Sequence, residues 1–125
     1  MSKNLEQTFY DALGAFNRGK YEEDLAPLLD HDVILKRVDD AGSVAGFGNV
    51  MAYLRFQQAK LNPQLDITNQ PTFRQPSATL GQVSGEGQYH DRNGDGGISV
   101  RFTFTFARAD EDDEWLLANA FAAPI

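Results

Sequence analysis

The side chains best suited to recognising a small polar molecule are two arginines and a row of hydroxyls. Arg37 sits near the end of the β-favouring run Asp32-Val33-Ile34-Leu35-Lys36-Arg37-Val38, and Arg101, Thr103 and Thr105 alternate with three phenylalanines in Ser99–Phe106. A guanidinium offers a bidentate fork to a carboxylate and threonine hydroxyls add single hydrogen bonds, so these residue types suit anion recognition better than proton transfer. A plainer reading competes: Arg37 pairs with an acidic neighbour, and the threonines are ordinary half-buried strand residues. Tyr53 and Phe56, on a stretch with helical spacing, are further candidates to line a ligand site, although aromatics so spaced also form cores.

Metal and acid–base chemistry have weaker claims. Asp91-Arg92-Asn93-Gly94-Asp95-Gly96-Gly97-Ile98-Ser99 matches nine positions of a calcium-binding loop, but the twelfth position, which needs a bidentate glutamate, is Phe102. The flanks read as strands, so a hairpin turn that uses Asn, Asp and Gly for positive φ angles accounts for the segment, and no metal or other cofactor is expected. The acidic run Asp110-Glu111-Asp112-Asp113-Glu114 reads as a solvated turn. His31 lies between aspartates and His90 precedes Asp91. Both fall at strand or turn boundaries and are expected to be exposed or capping groups.

Composition narrows the partners. The chain has 125 residues, 42% of them hydrophobic, which is enough for one compact core and one domain spanning 1–125. Its 18 acidic against 11 basic residues give a net charge of −7. That balance repels phosphate backbones and anionic membranes, so neither nucleic acid nor lipid is an expected partner. With no cysteine, disulfides, thiolate nucleophiles and cysteine-ligated metals are excluded. The N-terminus lacks the apolar stretch of a signal peptide, so a cytoplasmic location is the default expectation.

The elements that must position these groups follow from periodicity. Leu5, Phe9, Leu13 and Phe16 mark a helix over 4–18, with Ser2 or Asn4 as cap and Gly19 as stop. A short second helix is expected from about Tyr21 to Leu29, limited by Pro27, and then a hairpin pairing 32–38 with 43–45. Asn49 opens a third helix that Pro63 ends near Leu61. Four strands follow, near 65–74, 78–89, 97–109 and 114–123, with Gly81, Gly85 and Gly87 expected to form bulges in a bent sheet. The fold class is therefore α+β: three helices in the N-terminal half packed on a strongly bent, mostly antiparallel sheet.

This order resembles the nuclear transport factor 2-like superfamily, the cystatin-like cone roll that includes the SnoaL-like and ketosteroid isomerase-like proteins. The marks are Phe16-Asn17-Arg18-Gly19-Lys20-Tyr21 after the first helix, Leu28-Leu29-Asp30-His31-Asp32-Val33 entering the first strand, Val44-Ala45-Gly46-Phe47-Gly48-Asn49-Val50 entering the third helix, and Trp115-Leu116-Leu117-Ala118-Asn119 in the last strand. The resemblance implies a cone-shaped cavity. It also implies that the ketosteroid isomerase functional positions are changed: Ala12 replaces the oxyanion-hole tyrosine, Arg37 the general base, and Thr105 the protonated aspartate. A permanently cationic arginine cannot abstract the proton, so that mechanism is not expected.

Two functions remain open. One is a small-molecule-binding domain whose cavity takes a polar or anionic organic ligand at Arg37, Tyr53, Arg101, Thr103 and Thr105. The other is an enzyme of the cyclase, isomerase or dehydratase type whose general base is unidentified, with Tyr10 or Asp11 turned inward as the candidates. A homodimer is expected, because a sheet with phenylalanines on one face and threonines on the other needs cover on both.

Overall fold

The computed structural model describes residues 4–36, 42–60, 62–91 and 97–125. Helix α1 (Leu5–Arg18) starts with a capping box: Asn4 Oδ1 accepts from the Gln7 amide at 2.8 Å while the Gln7 side chain accepts from the Asn4 amide at 3.2 Å. It stops where Gly19 turns left-handed at φ +73°. Its buried face carries Leu5, Phe9, Ala12 and Ala15. The expected second helix is instead one wide π-helical turn (Tyr21–Leu25) followed by a 3-10 turn (Ala26–Leu28). Tyr21 and Leu25 are its buried residues, and Pro27 within the 3-10 turn has no amide with which to prolong a helix.

Strand β1 (Leu29–Lys36) begins three residues earlier than expected and forms a hairpin with β2 (Ser43–Ala45). Helix α2 (Phe47–Lys60) follows and buries Val50, Met51 and Leu54. The single strand expected over 65–74 is two strands, β3 (Pro63–Ile67) and β4 (Thr72–Ser77). Both pair antiparallel with β5 (Leu80–Asp91), β3 along its second half and β4 along its first. At 12 residues β5 is long enough to seat both partners, and Pro71, which lacks an amide, falls in the break between them. Among the described residues, strands β6 (Gly97–Ala107) and β7 (Leu116–Pro124) complete a seven-stranded sheet of order β2-β1-β7-β6-β5-β3, with β4 on β5 and only the β1–β7 pairing parallel.

Toward β6 the β5 glycines form no bulge, because β5 and β6 pair without a shift from Leu80–Ala107 to His90–Gly97, whereas toward β4 the register shifts opposite Gly81. They provide clearance. A Cβ at Gly87 would stand 2.6 Å from the Asp66 carbonyl oxygen, and one at Gly85 2.9 Å from the Phe102 ring. Register shifts occur between Arg74 and Ser77 where β4 passes Gly81 of β5, between Leu29 and Ile34 where β1 meets β7, and between Thr105 and Phe106 where β6 meets β7. On the inner face Phe9 of α1 stacks on Phe102, with centroids 6.0 Å apart, and also meets Phe73 and Phe104. Phe9, Phe102 and Phe106 are fully buried. No helix among the described residues is long and apolar enough to cross a membrane.

Candidate functional site

Between the helices and the inner face of the sheet lies a chamber of about 110 Å³. Helix α1 contributes Ala12 and Phe16 to its wall, β1 contributes Val33 and Leu35, α2 contributes Val50 and Leu54, and the sheet contributes Leu65, Phe104, Leu117 and Ala120. Space remains because Ala12 and Ala120 present only methyl groups where neighbouring positions carry large side chains. The pairing of Phe104 with Ala120 between β6 and β7 sets an aromatic ring beside a gap.

Four polar residues border the chamber, Lys36, Tyr53, Gln57 and Tyr89, of which Lys36 follows the inward Leu35 on β1 and so by strand alternation turns its side chain to the other face. Tyr53 and Gln57 are four residues apart on α2 and so share one helix face. Tyr89 is paired with Leu65 of β3, and Lys36 is the last residue of β1. Among the described lining residues there is no carboxylate and no imidazole.

The positions of the sequence candidates divide sharply. Tyr53 lines the chamber. Arg101, Thr103 and Thr105 do not, because side chains alternate along β6 and the inward places belong to Phe102, Phe104 and Phe106. On the outer face Arg101 lies opposite Glu86, Thr103 opposite Phe121 and Thr105 opposite Asn119. Thr105 therefore cannot stand for an oxyanion-hole residue. Arg37, and with Arg92–Gly96 most of the loop considered for calcium, fall outside the described residues.

Phe56 is 60% exposed, and Tyr10 and Asp11 face outward from α1, so neither candidate base turns toward the chamber. His31 is exposed on β1, whereas His90 Nε2 meets Asp66 Oδ2 at 2.7 Å between β5 and β3. Neither histidine lines the chamber.

Sequence reasoning missed Lys36, Gln57, Tyr89 and Phe104. The i, i+4 spacing of Tyr53 and Gln57 is a signal for one pair. The assignment of the threonine face to the interior hid Phe104, since a period of two fixes which residues share a face and leaves open which face is covered.

Comparison with known proteins gives fold-level likenesses. No protein-family model and no curated protein matches the chain. Among solved structures, a candidate dehydratase of the nuclear transport factor 2-like family from Streptomyces avermitilis superposes with a TM-score of 0.81 at 19% identity, covering 97% of this chain and 93% of that one. An uncharacterised protein with a cystatin-like fold from Caulobacter vibrioides gives 0.79 at 11% identity, covering 97% and 87%. A protein from Catenulispora acidiphila, solved in complex with S-DNPA, gives 0.73 at 14% identity, covering 96% and 90%. The element order, the curled sheet around an inner chamber and these superpositions agree: the chain has the cone fold of the nuclear transport factor 2-like proteins.

Proposed function

We propose that this chain is a small-molecule-binding domain whose chamber takes a small organic ligand with a largely apolar body and a polar or anionic head. The observation that carries this reading is the lining itself, an apolar chamber bordered by a few polar residues, among them Tyr53, Gln57 and Tyr89. That composition is the usual one for ligand pockets, where apolar walls supply affinity and a few polar groups fix orientation. An enzyme abstracting a proton needs a base within reach of the substrate, and the titratable side chains of the described lining are one lysine and two tyrosines. Binding is the better supported of the two functions.

Toluene and phenol tested by NMR titration are expected to shift amide signals of Leu35, Phe104 and Ala120, and Ala120→Leu, which fills the space, is expected to abolish the shifts. Shifts scattered over the outer surface, or unaltered in Ala120→Leu, would remove the chamber from consideration.

We also propose a homodimer formed through the outer face of β5, β6 and β7. Phe121 is 42% exposed and opposite Thr103, and it also borders the chamber. Strands β6 and β7 carry no acidic residue, although the chain has 18, and Glu86 of β5 on this face lies opposite Arg101. For two chains of charge −7 this is the face that can approach its copy with least repulsion.

A further inference from the structure

One inward residue of α2 narrows the chemistry of the ligand's head, and this step rests on the binding function proposed above. We infer that the ligand is a small neutral carboxamide, its body no larger than one ring among Leu35, Phe104 and Ala120, and its head paired with the side-chain amide of Gln57.

The first observation is the placement of Gln57. Val50, Leu54 and Gln57 follow one another on α2 at spacings of four and three, and all three line the chamber. A stripe built for packing alone would continue with another hydrophobe, whereas this one ends on a half-buried amide. Beside it Gln58 Nε2 donates to the Gly19 carbonyl at 2.8 Å, which pins the last turn of α2 to the end of α1. Gln57 is thereby held in place, while its own side-chain amide bonds to no other described residue. Tyr53 and Tyr89, which also border the chamber, each have a partner within the chain and serve as wall.

The second is the lack of charge. With Lys36 turned to the other face of β1, no described side chain that faces the chamber carries a formal charge at neutral pH. A carboxylate or an ammonium entering so apolar a space loses its hydration with no opposite charge to replace it, and the chain's net charge of −7 adds long-range repulsion for an anion. The head is therefore neutral.

The third is the match of donors to acceptors. A glutamine amide presents one acceptor oxygen beside an NH₂ donor, and a carboxamide presents the same pair in reverse, so the two can form two parallel hydrogen bonds. A ketone or an ether would use the donor alone. Size limits the body: an engineered apolar cavity of about 150 Å³ accommodates benzene, so a chamber of about 110 Å³ takes one ring at most.

The test uses benzamide, benzoate, acetophenone and toluene, with dissociation constants measured by NMR titration on the full chain at pH 7. Benzamide is expected to bind at least about tenfold more tightly than benzoate. Gln57→Met keeps length and helix propensity; it is expected to weaken benzamide about tenfold, acetophenone, which only accepts, about threefold, and toluene not at all. Gln57→Glu, which accepts and no longer donates, is expected to weaken acetophenone more than benzamide. Benzoate binding as tightly as benzamide overturns the neutral head. Benzamide affinity that survives Gln57→Met, or a loss shared equally by toluene, overturns the pairing with Gln57. Where toluene binds in the unaltered protein, either result leaves the chamber function standing and removes only the carboxamide. Failure of all four compounds to bind would overturn the inference and the binding function together.

Discussion

Asn17 of α1 grips Leu65 of β3 through both ends of its amide: Oδ1 accepts from the Leu65 backbone amide at 2.8 Å and Nδ2 donates to the Leu65 carbonyl at 2.9 Å. The side chain imitates a neighbouring strand at an edge of the sheet, where among the described residues β3 pairs with β5 alone. Asn17 follows Phe16 in sequence, and both Phe16 and Leu65 line the chamber, so this clamp sets the spacing of two of its walls. Asn17→Ala leaves two part-buried backbone groups without these partners and is expected to cost about 1–3 kcal/mol in a urea titration, with weaker ligand binding as a second effect. Asn17→Asp keeps the acceptor and is expected to recover part of the loss.

Gly87→Ala is a separate test of how tightly β3 and β5 approach. The added methyl would meet the Asp66 carbonyl oxygen at 2.6 Å, and a backbone atom cannot swing aside as a side chain can. We expect a loss of about 1–3 kcal/mol in thermal or urea unfolding, the scale of an overpacked site. Gly48→Ala is the matched control, since nothing lies within 4 Å of its added Cβ. It is expected to be neutral or mildly stabilising, because alanine is the better helix former.

Asn119 Oδ1 is buried and has no hydrogen-bond partner among the described residues. Replacing such a group by an apolar one of similar size removes a desolvation cost, so Asn119→Leu is expected to raise stability by about 1 kcal/mol. A clear loss of stability in chemical unfolding would mean that this oxygen has a partner in the assembled protein.

Phe121→Lys tests the self-association proposed above. It sets two cations against each other across a twofold axis in place of two aromatic rings, and is expected to convert a dimer into a monomer in sedimentation at micromolar concentration. Tyr10→Lys, on the exposed side of α1, is the control and is expected to leave the assembly unchanged. A monomer before substitution would dispose of the dimer.

Short-range signals in the sequence determined much of this molecule. The four-, four- and three-residue spacing in Leu5–Phe16 and the left-handed turn at Gly19 define α1, because helix period and capping depend on residues within a few positions of each other. The alternation of phenylalanine with Arg101, Thr103 and Thr105 defines β6 and which residues share each face. The order of elements and the motifs between them were enough to identify the cone fold. What the tertiary structure alone decided is which face of β6 turns inward, since both faces of an isolated strand are equivalent until helices pack on one of them. Packing Phe9 against Phe102 and Phe104 gave the interior to the phenylalanines and sent the threonines outside. The same packing left the gap beside Ala120 and brought Gln57 and Tyr89, which lie far apart in sequence, to one chamber.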